Sequence, residues 1–218
     1  MNIIFNNNKF VLNPDGSMFW PQESCLIVGD LHLEKSTSYI DQGNFLPPYD
    51  TLDTLTKLSH TIKKKRIKKV IFLGDVFHDS NGYERLKPKE KSLFDKILNE
   101  NTIWISGNHD ANFKPKHVNS FTLYKLNKLT FSHISCSKNF MEISAHYHPK
   151  VTFKYLGTKI SKPCFLIDKY RIILPAYGSY TGGLNISSNV FKNIFSNNFD
   201  VYALGNKKVF KVNSLSLK

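Results

Sequence analysis

Three short segments each end an apolar run in glycine and then present polar residues able to hold a cation. They are "GDLH" (Asp30, His32), "GDVFHD" (Asp75, His78, Asp79) and "GNHD" (Asn108, His109, Asp110). A lone histidine, His133, follows in "FSHIS", and a pair, His146 and His148, in "ISAHYHPKV". Of the eight histidines, only His60 and His117 lie outside these segments. A single Gly-Asp after a strand is an ordinary turn; five such segments in one chain are a constellation. Its donors are the hard oxygens of Asp30, Asp75 and Asn108 and the imidazole nitrogens of His32, His133, His146 and His148. No closely spaced cysteine pair accompanies them, as a structural zinc site would require. Aspartate, asparagine and histidine without thiolate suit Mn²⁺, Fe²⁺ or Zn²⁺ in a catalytic site. The donors outnumber what one ion needs if positions must stay open for water, whereas two ions sharing a carboxylate would use them all. Two-metal sites hold ions ~3.5–4 Å apart and clamp the attacking and leaving oxygens of phosphoryl transfer.

Elements that could carry these side chains are visible in the apolar pattern. "SCLIVGD" (24–30), "KKVIFLGD" (68–75) and "NTIWISGNHD" (101–110) read as buried strands. Between the first two, Leu52, Leu55, Leu58 and Ile62 predict a helix near 49–65, ending in the basic run "KKKRIKK" (63–69) that suits a helix C-terminus. Pro88 opens a second helix, with Leu93, Phe94, Ile97 and Leu98 as its apolar stripe. The order β-α-β-α-β puts a polar cluster at the carboxyl end of each strand, the edge where open α/β sheets bind ligands. Beyond residue 120, shorter strands and one helix around Phe191, Ile194 and Phe195 predict a second, more antiparallel sheet. If 143–151 is a strand, His146 and His148 point to the same face.

The chain has 218 residues, 41% hydrophobic and 22% charged, ordinary values for one soluble globular domain spanning 1–218. Three widely spaced cysteines argue against a disulfide framework and for a reducing compartment, cytoplasm by default. No stretch approaches a membrane span of ~18–20 apolar residues. Thirty Lys+Arg against 17 Asp+Glu give a net charge of +13. That excess favours polyanionic partners, nucleic acid above all, although it also reflects a chain rich in lysine and asparagine.

In combination, D-x-H, GD, GNHD, a lone histidine and a closing H-x-H resemble the calcineurin-like metallophosphoesterase superfamily. The stretches "GDLHLEKSTSYIDQGNFLPPYDTLDTL", "GDVFHD" and "LPAYGSYTGG" extend the resemblance to the ligase-associated, PdeM-type DNA-repair endonucleases. The resemblance implies a four-layer α-β-β-α sandwich of two mixed sheets with metals at the sheet edges. It assigns Asp30, His32 and His148 to one ion and Asn108, His133 and His146 to the other, with Asp75 bridging. His109 would sit over the substrate phosphate, stabilising phosphoryl oxygens or protonating the leaving group. The implied ions are Mn²⁺ foremost, with Fe²⁺, Zn²⁺ or Mg²⁺ able to use the same donors. The implied substrate is DNA, and a DNA ligase or helicase is the implied partner. The family has glycine before H-x-H, where this chain has Ala145.

Plainer roles compete at several positions. Asp79 and Asp110 could orient metal-binding histidines or cap turns. His78 suits a supporting or substrate-side place better than ligation. Cys136 reads as a buried bystander. The loops "TSYIDQG" and "NGYERLK" could line a nucleic-acid groove or simply be solvated, and "TGG" (181–183) reads as a tight turn near the site. A phosphodiesterase or phosphatase on small nucleotides is the alternative activity, and a non-catalytic scaffold is disfavoured because every expected ligand position is filled.

Overall fold

The structure, a computed structural model, describes residues 1–40, 43–113, 115–135, 141–195 and 198–212. The first sheet follows chain order: β1 (Asn2–Phe5), β2 (Asn8–Leu12), β3 (Met18–Trp20), β4 (Cys25–Val28), β5 (Lys69–Leu73), β6 (Thr102–Ile105) and β7 (Asn119–Phe121). Strands β1 to β4 pair antiparallel, whereas β4 to β7 pair parallel. The second sheet contains β8 (Leu123–Leu126), β9 (Leu129–Ser132), β10 (Glu142–Ser144), β11 (Lys150–Tyr155), β12 (Thr158–Ile167), β13 (Arg171–Ile173), β14 (Asp200–Leu204) and β15 (Val209–Val212). Its order is β15-β14-β12-β13-β10-β9-β8, with β11 paired to β12. Both sheets are mixed. The second is less antiparallel than its sequence suggests, because β9, β10 and β13 form a parallel centre. Among the described residues the α-helices are α1 (Lys35–Ile40), α2 (Asp50–Lys65), α3 (Gly82–Arg85), α4 (Pro88–Ile97) and α5 (Asn189–Ile194), with a 3-10 turn at Pro21–Glu23.

Alternation along the strands builds the layers. In β4 to β6, Ile27, Ile71, Leu73, Ile103 and Ile105 face the second sheet and meet Leu129, Phe131, Ile143, Phe165 and Ile172. Leu26, Val28, Val70, Phe72 and Trp104 face the other way, onto Leu55 and Leu58 of α2 and Phe94 and Ile97 of α4. Burial on both faces is why these strands read as continuous apolar runs. On the far side, Phe191 of α5 and the adjoining Phe195 cover Cys164, Leu166, Ile173 and Val201. The result is the expected four-layer sandwich.

Helix α2 stops at Arg66, whose left-handed backbone (φ 52°) returns its N–H to the carbonyls of Ile62 and Lys63. The basic run 63–69 therefore lies at the N-terminal end of β5, away from the strand-end motifs. The N-terminal meander has no counterpart in the sequence expectations, although its signal is present. Asn6 and Asn7 join β1 to β2 with φ of 46° and 60°, the two-residue hairpin turn that asparagine favours.

Candidate metal centre

The loops leaving β4, β5 and β6 carry Asp30 and His32, Asp75, and Asn108 and His109. His133 follows β9, and His146 and His148 occupy the connection between β10 and β11. That last segment is not a strand. Strand β10 ends at Ser144, β11 begins at Lys150, and His146 and His148 have φ of 71° and 44°. Strand alternation therefore does not aim these rings, and Pro149 lies in the connection just before β11. His146 Nδ1 comes 3.1 Å from His133 Nε2, while His148 Nε2 comes 3.3 Å from His32 Nε2. Tyr147 packs beside Phe191 in the core under α5.

Besides a His32–His78–His109 group at the rim, two groups of donors result, Asp30–His32–His148 and Asp75–His133–His146, each with its ligand atoms within 4.8 Å of one another. Asp75 Oδ2 lies between them, 3.3 Å from His133 Nε2 and 3.9 Å from His32 Nε2. Asn108 Oδ1 is 3.0 Å from His133 Nε2. Asp30 Oδ1 lies 3.4 Å from His148 Nε2, yet this buried oxygen receives no hydrogen bond. A buried carboxylate oxygen without a donor is costly unless a cation meets it. The imidazole nitrogens facing each other across 3.1–3.3 Å can share one proton or face a cation between them. The cluster is compatible with a divalent metal site.

Electrostatics keep His32, His146 and Asp75 in metal-accepting form and push His133 the other way. Burial, with His148 beside it, takes His32 down to about 2. Burial and His133 lower His146. For Asp75 burial acts upwards, but the hydrogen bond and charge of His133 and the His109 N–H outweigh it, taking the carboxyl down to about 2. Burial acts downwards on His133, and contact with Asp75 and Asp30 more than reverses it.

Five of these residues, Asp30, His32, Asp75, His146 and His148, have positive φ, from 44° to 71°. This region costs non-glycine residues energy and concentrates at functional sites. Gly74 (φ 85°) precedes Asp75, and a side chain there would run into the His133 ring. A side chain at Gly29 would collide with the Ala145 methyl. The departure from the family's glycine before H-x-H is thus accommodated by the missing side chain at Gly29, and Ala145 itself has no positive φ.

The auxiliary residues divide clearly. His78 Nδ1 is 3.3 Å from His32 Nδ1, and its ring is stacked with His109 (centroids 5.2 Å apart) and with Tyr39 (5.6 Å). Burial, then Lys35, lowers His78 to about 4. His109 is exposed; its backbone N–H donates to Asp75 Oδ1, and its Nδ1 lies 2.9 Å from the His78 carbonyl. Asp79 orients no histidine. Arg85 donates to both its oxygens, and it accepts the Asn81 N–H, which makes it a turn anchor. Asp110 also touches no imidazole: it is fully buried and accepts the N–H groups of Val76, Phe77 and Gly107, tying two site loops together. Of the loop "TSYIDQG", Asp41 and Gln42 lie outside the described residues, as does Cys136. The described start of this segment is not a loop: Tyr39 lies on α1 and brings its ring against His78, a contact that sequence spacing does not encode. The turn at 181–183 closes on the site loop, since Gly183 sits against the His148 carbonyl.

The family model for calcineurin-like phosphoesterases matches residues 24–209. No curated protein matched by sequence. Among solved structures, the chain is similar to a Pseudomonas putida nuclease, MPE, with 23% identity and a TM-score of 0.73 over 97% of this chain and 99% of that one. It is more distantly similar to Yfce, a phosphoesterase from E. coli, with 12% identity and a TM-score of 0.43 over 89% and 99% of the two chains.

Proposed function

Because the chain belongs to the calcineurin-like phosphoesterase family, we propose that it is a phosphodiesterase acting on nucleic acid, a nuclease, at the centre described above. The observation that carries this reading is the pair of donor groups flanking one carboxylate, Asp75. Asp30, His32 and His148 would hold one divalent cation, and Asn108, His133 and His146 the other, with Asp75 between them. Manganese is the proposed metal. Bound there, two cations supply activation of water and neutralisation of charge on phosphoryl oxygens.

The chain's own groups do the rest. His133 is fixed by the Leu73 carbonyl, 2.7 Å from its Nδ1, so that Nε2 faces Asp75 and Asn108. Asp30 accepts the His146 N–H at 2.9 Å and so holds the turn that separates the two closing histidines. With Nδ1 donating to the His78 carbonyl, His109 presents Nε2 outward, and as the imidazolium it donates from there to a phosphoryl oxygen or to the leaving group. Its exposure leaves it open to a large substrate. The net charge of +13 supports a polyanionic substrate, and the solved structure similar along nearly its whole length is named a nuclease.

A substrate panel tests the reading: an aryl phosphodiester, DNA, RNA and mononucleotides under Mn²⁺, Mg²⁺ and Zn²⁺. Asp75→Asn and His109→Ala are expected to lower diester hydrolysis by orders of magnitude with the fold retained. Near wild-type turnover in both variants would remove the mechanism. Cleavage confined to small esters, with nucleic acid neither bound nor competing, would replace the substrate.

A further inference from the structure

Strand β11 starts directly after His148-Pro149 and leaves the site as a two-stranded arm. Among the described strands it pairs with β12, which itself joins β14 from Cys164 onward, while Lys150 at its base also bridges to Asn185. In antiparallel pairing, residues directly opposite share a face and every second residue recurs on it. The register Lys150↔Pro163, Thr152↔Ser161 and Lys154↔Lys159 therefore puts three lysines and two hydroxyls on one face of the arm. Val151 and Phe153, on the other face, pack into the core under α5, which leaves the lysine face turned away from that core. Lys154 and Lys159 are exposed, and Leu156 at the tip is 87% exposed. Between residues 143 and 167 the sequence contains no aspartate or glutamate. Among the described residues, no carboxylate pairs with any of the three lysines.

A lysine directly opposite a lysine costs stability, so the arm is built for something that arrives from outside. Resting on the phosphodiesterase reading above, we propose that the β11–β12 arm binds the backbone phosphates of the nucleic-acid strand next to the scissile bond. Lys150 stands at the site, its Nζ 3.4 Å from the Thr181 carbonyl. Lys154 follows four residues on, about 13 Å at ~3.3 Å per residue. That span corresponds to about four base-pair steps of ~3.4 Å along a duplex axis. Lysines on an edge strand also deter sheet-to-sheet association, but one such charge is enough for that and a facing pair is not required.

The test compares Lys154→Gln/Lys159→Gln with Lys63→Gln/Lys64→Gln, which removes the same charge from the opposite end of the first sheet. Neither pair belongs to the metal centre, and relieving the lysine pair should not unfold the arm. Binding of a fluorescent DNA oligonucleotide is followed by anisotropy with chelator present, and aryl phosphodiester hydrolysis with Mn²⁺ is measured in parallel. The arm variant is expected to bind about tenfold more weakly and to lower the slope of log Kd against log salt by about 1.5, close to two phosphate contacts. Its small-ester turnover stays at the wild-type level, and the distal variant binds like wild type. Unchanged binding in the arm variant, or equal weakening in both, overturns the proposal without touching the metal centre. So does displacement of the oligonucleotide by polyglutamate at equal charge, which would assign the arm to an acidic protein. Wild-type protein that hydrolyses no phosphoester but still binds DNA through the arm would overturn the catalytic reading alone.

Discussion

Loops leaving β4, β5 and β6 are tied to one another, whereas those leaving β9 and β10 reach the site by bonding to these first-sheet loops. In the first group Asp30, His32 and Leu33 donate backbone N–H groups to Gly74, Asp75 and Val76, and His78 donates back to Leu33. Asp110 adds bonds to Val76, Phe77 and Gly107. In the second group His133 is oriented by Leu73, and His146 donates to Asp30. Within this group the Ala145 N–H donates to the His133 carbonyl, and His146 Nδ1 lies 3.1 Å from His133 Nε2. The first sheet thus supplies a preassembled half-site, and the second sheet's histidines take their positions from it. Damage to the first sheet should therefore propagate to the second, and not the reverse.

The most disruptive test of that asymmetry is Asp110→Ala. It strips acceptors from three buried N–H groups at about 1–3 kcal/mol each, so a loss of at least ~3 kcal/mol in urea unfolding is expected, with metal uptake lost as well. Stability within ~1 kcal/mol of wild type would show that the first-sheet loops do not depend on this tie. Next comes Gly74→Ala, which forces a methyl into the His133 ring at a left-handed backbone position. A destabilisation of ~1–3 kcal/mol is expected, with weaker metal retention on calorimetric titration; unimpaired uptake would mean that His133 is free to move aside.

A smaller effect concerns pH. His32, His78 and His146 are lowered by burial first, so below about 6.5 the unfolded chain takes up protons that the folded chain refuses. Their contribution is complete above 6.5 and is lost as pH falls below it, through about 4 for His78 and on to about 2 for His32. His133 has the opposite sign: it is raised by Asp75 and Asp30, so it stabilises below 6.5 and loses this as pH rises through its folded value. Asp75, lowered to about 2, enters only below its unfolded value near 3.8. With three groups against one, the chelator-treated protein should melt at a lower temperature at pH 5 than at pH 8. A higher Tm at pH 5 would mean that His133 outweighs the rest.

The same asymmetry explains what could be read from the sequence. Strands β4, β5 and β6 are buried on both faces, so each shows as an apolar run, and the polar residues after the run fall at the ligand-binding edge. Helices α2 and α4 were legible from their stripes and from Pro88. The second-sheet contributions lacked such a frame. "SHIS" has no periodicity of its own, and "HYH" suggested a strand where the backbone turns twice through the left-handed region. Local rules do not anticipate positive φ at aspartate or histidine in these places; contacts from the opposite sheet impose it. The tie made by Asp110 was equally hidden, because its partners lie 3 to 34 residues away. The meander β1–β3 was missed for a different reason: its asparagine turns were visible but lay inside a composition dominated by asparagine and lysine.

The left-handed backbone at Asp30, His32, Asp75, His146 and His148 sets the direction in which this chain can decay. At each position glycine is the residue that relieves the backbone most, by ~1–2 kcal/mol, and it is also the residue that deletes the donor atom. Selection for function must keep rejecting substitutions that selection for folding alone would accept. At Asp30 and Asp75 that relief is offset, because each carboxylate also accepts a backbone N–H, from His146 and His109. A descendant released from the need for activity would therefore drift first at His32, His146 and His148, and glycine at these three positions in a related chain is a readable mark of an abandoned site.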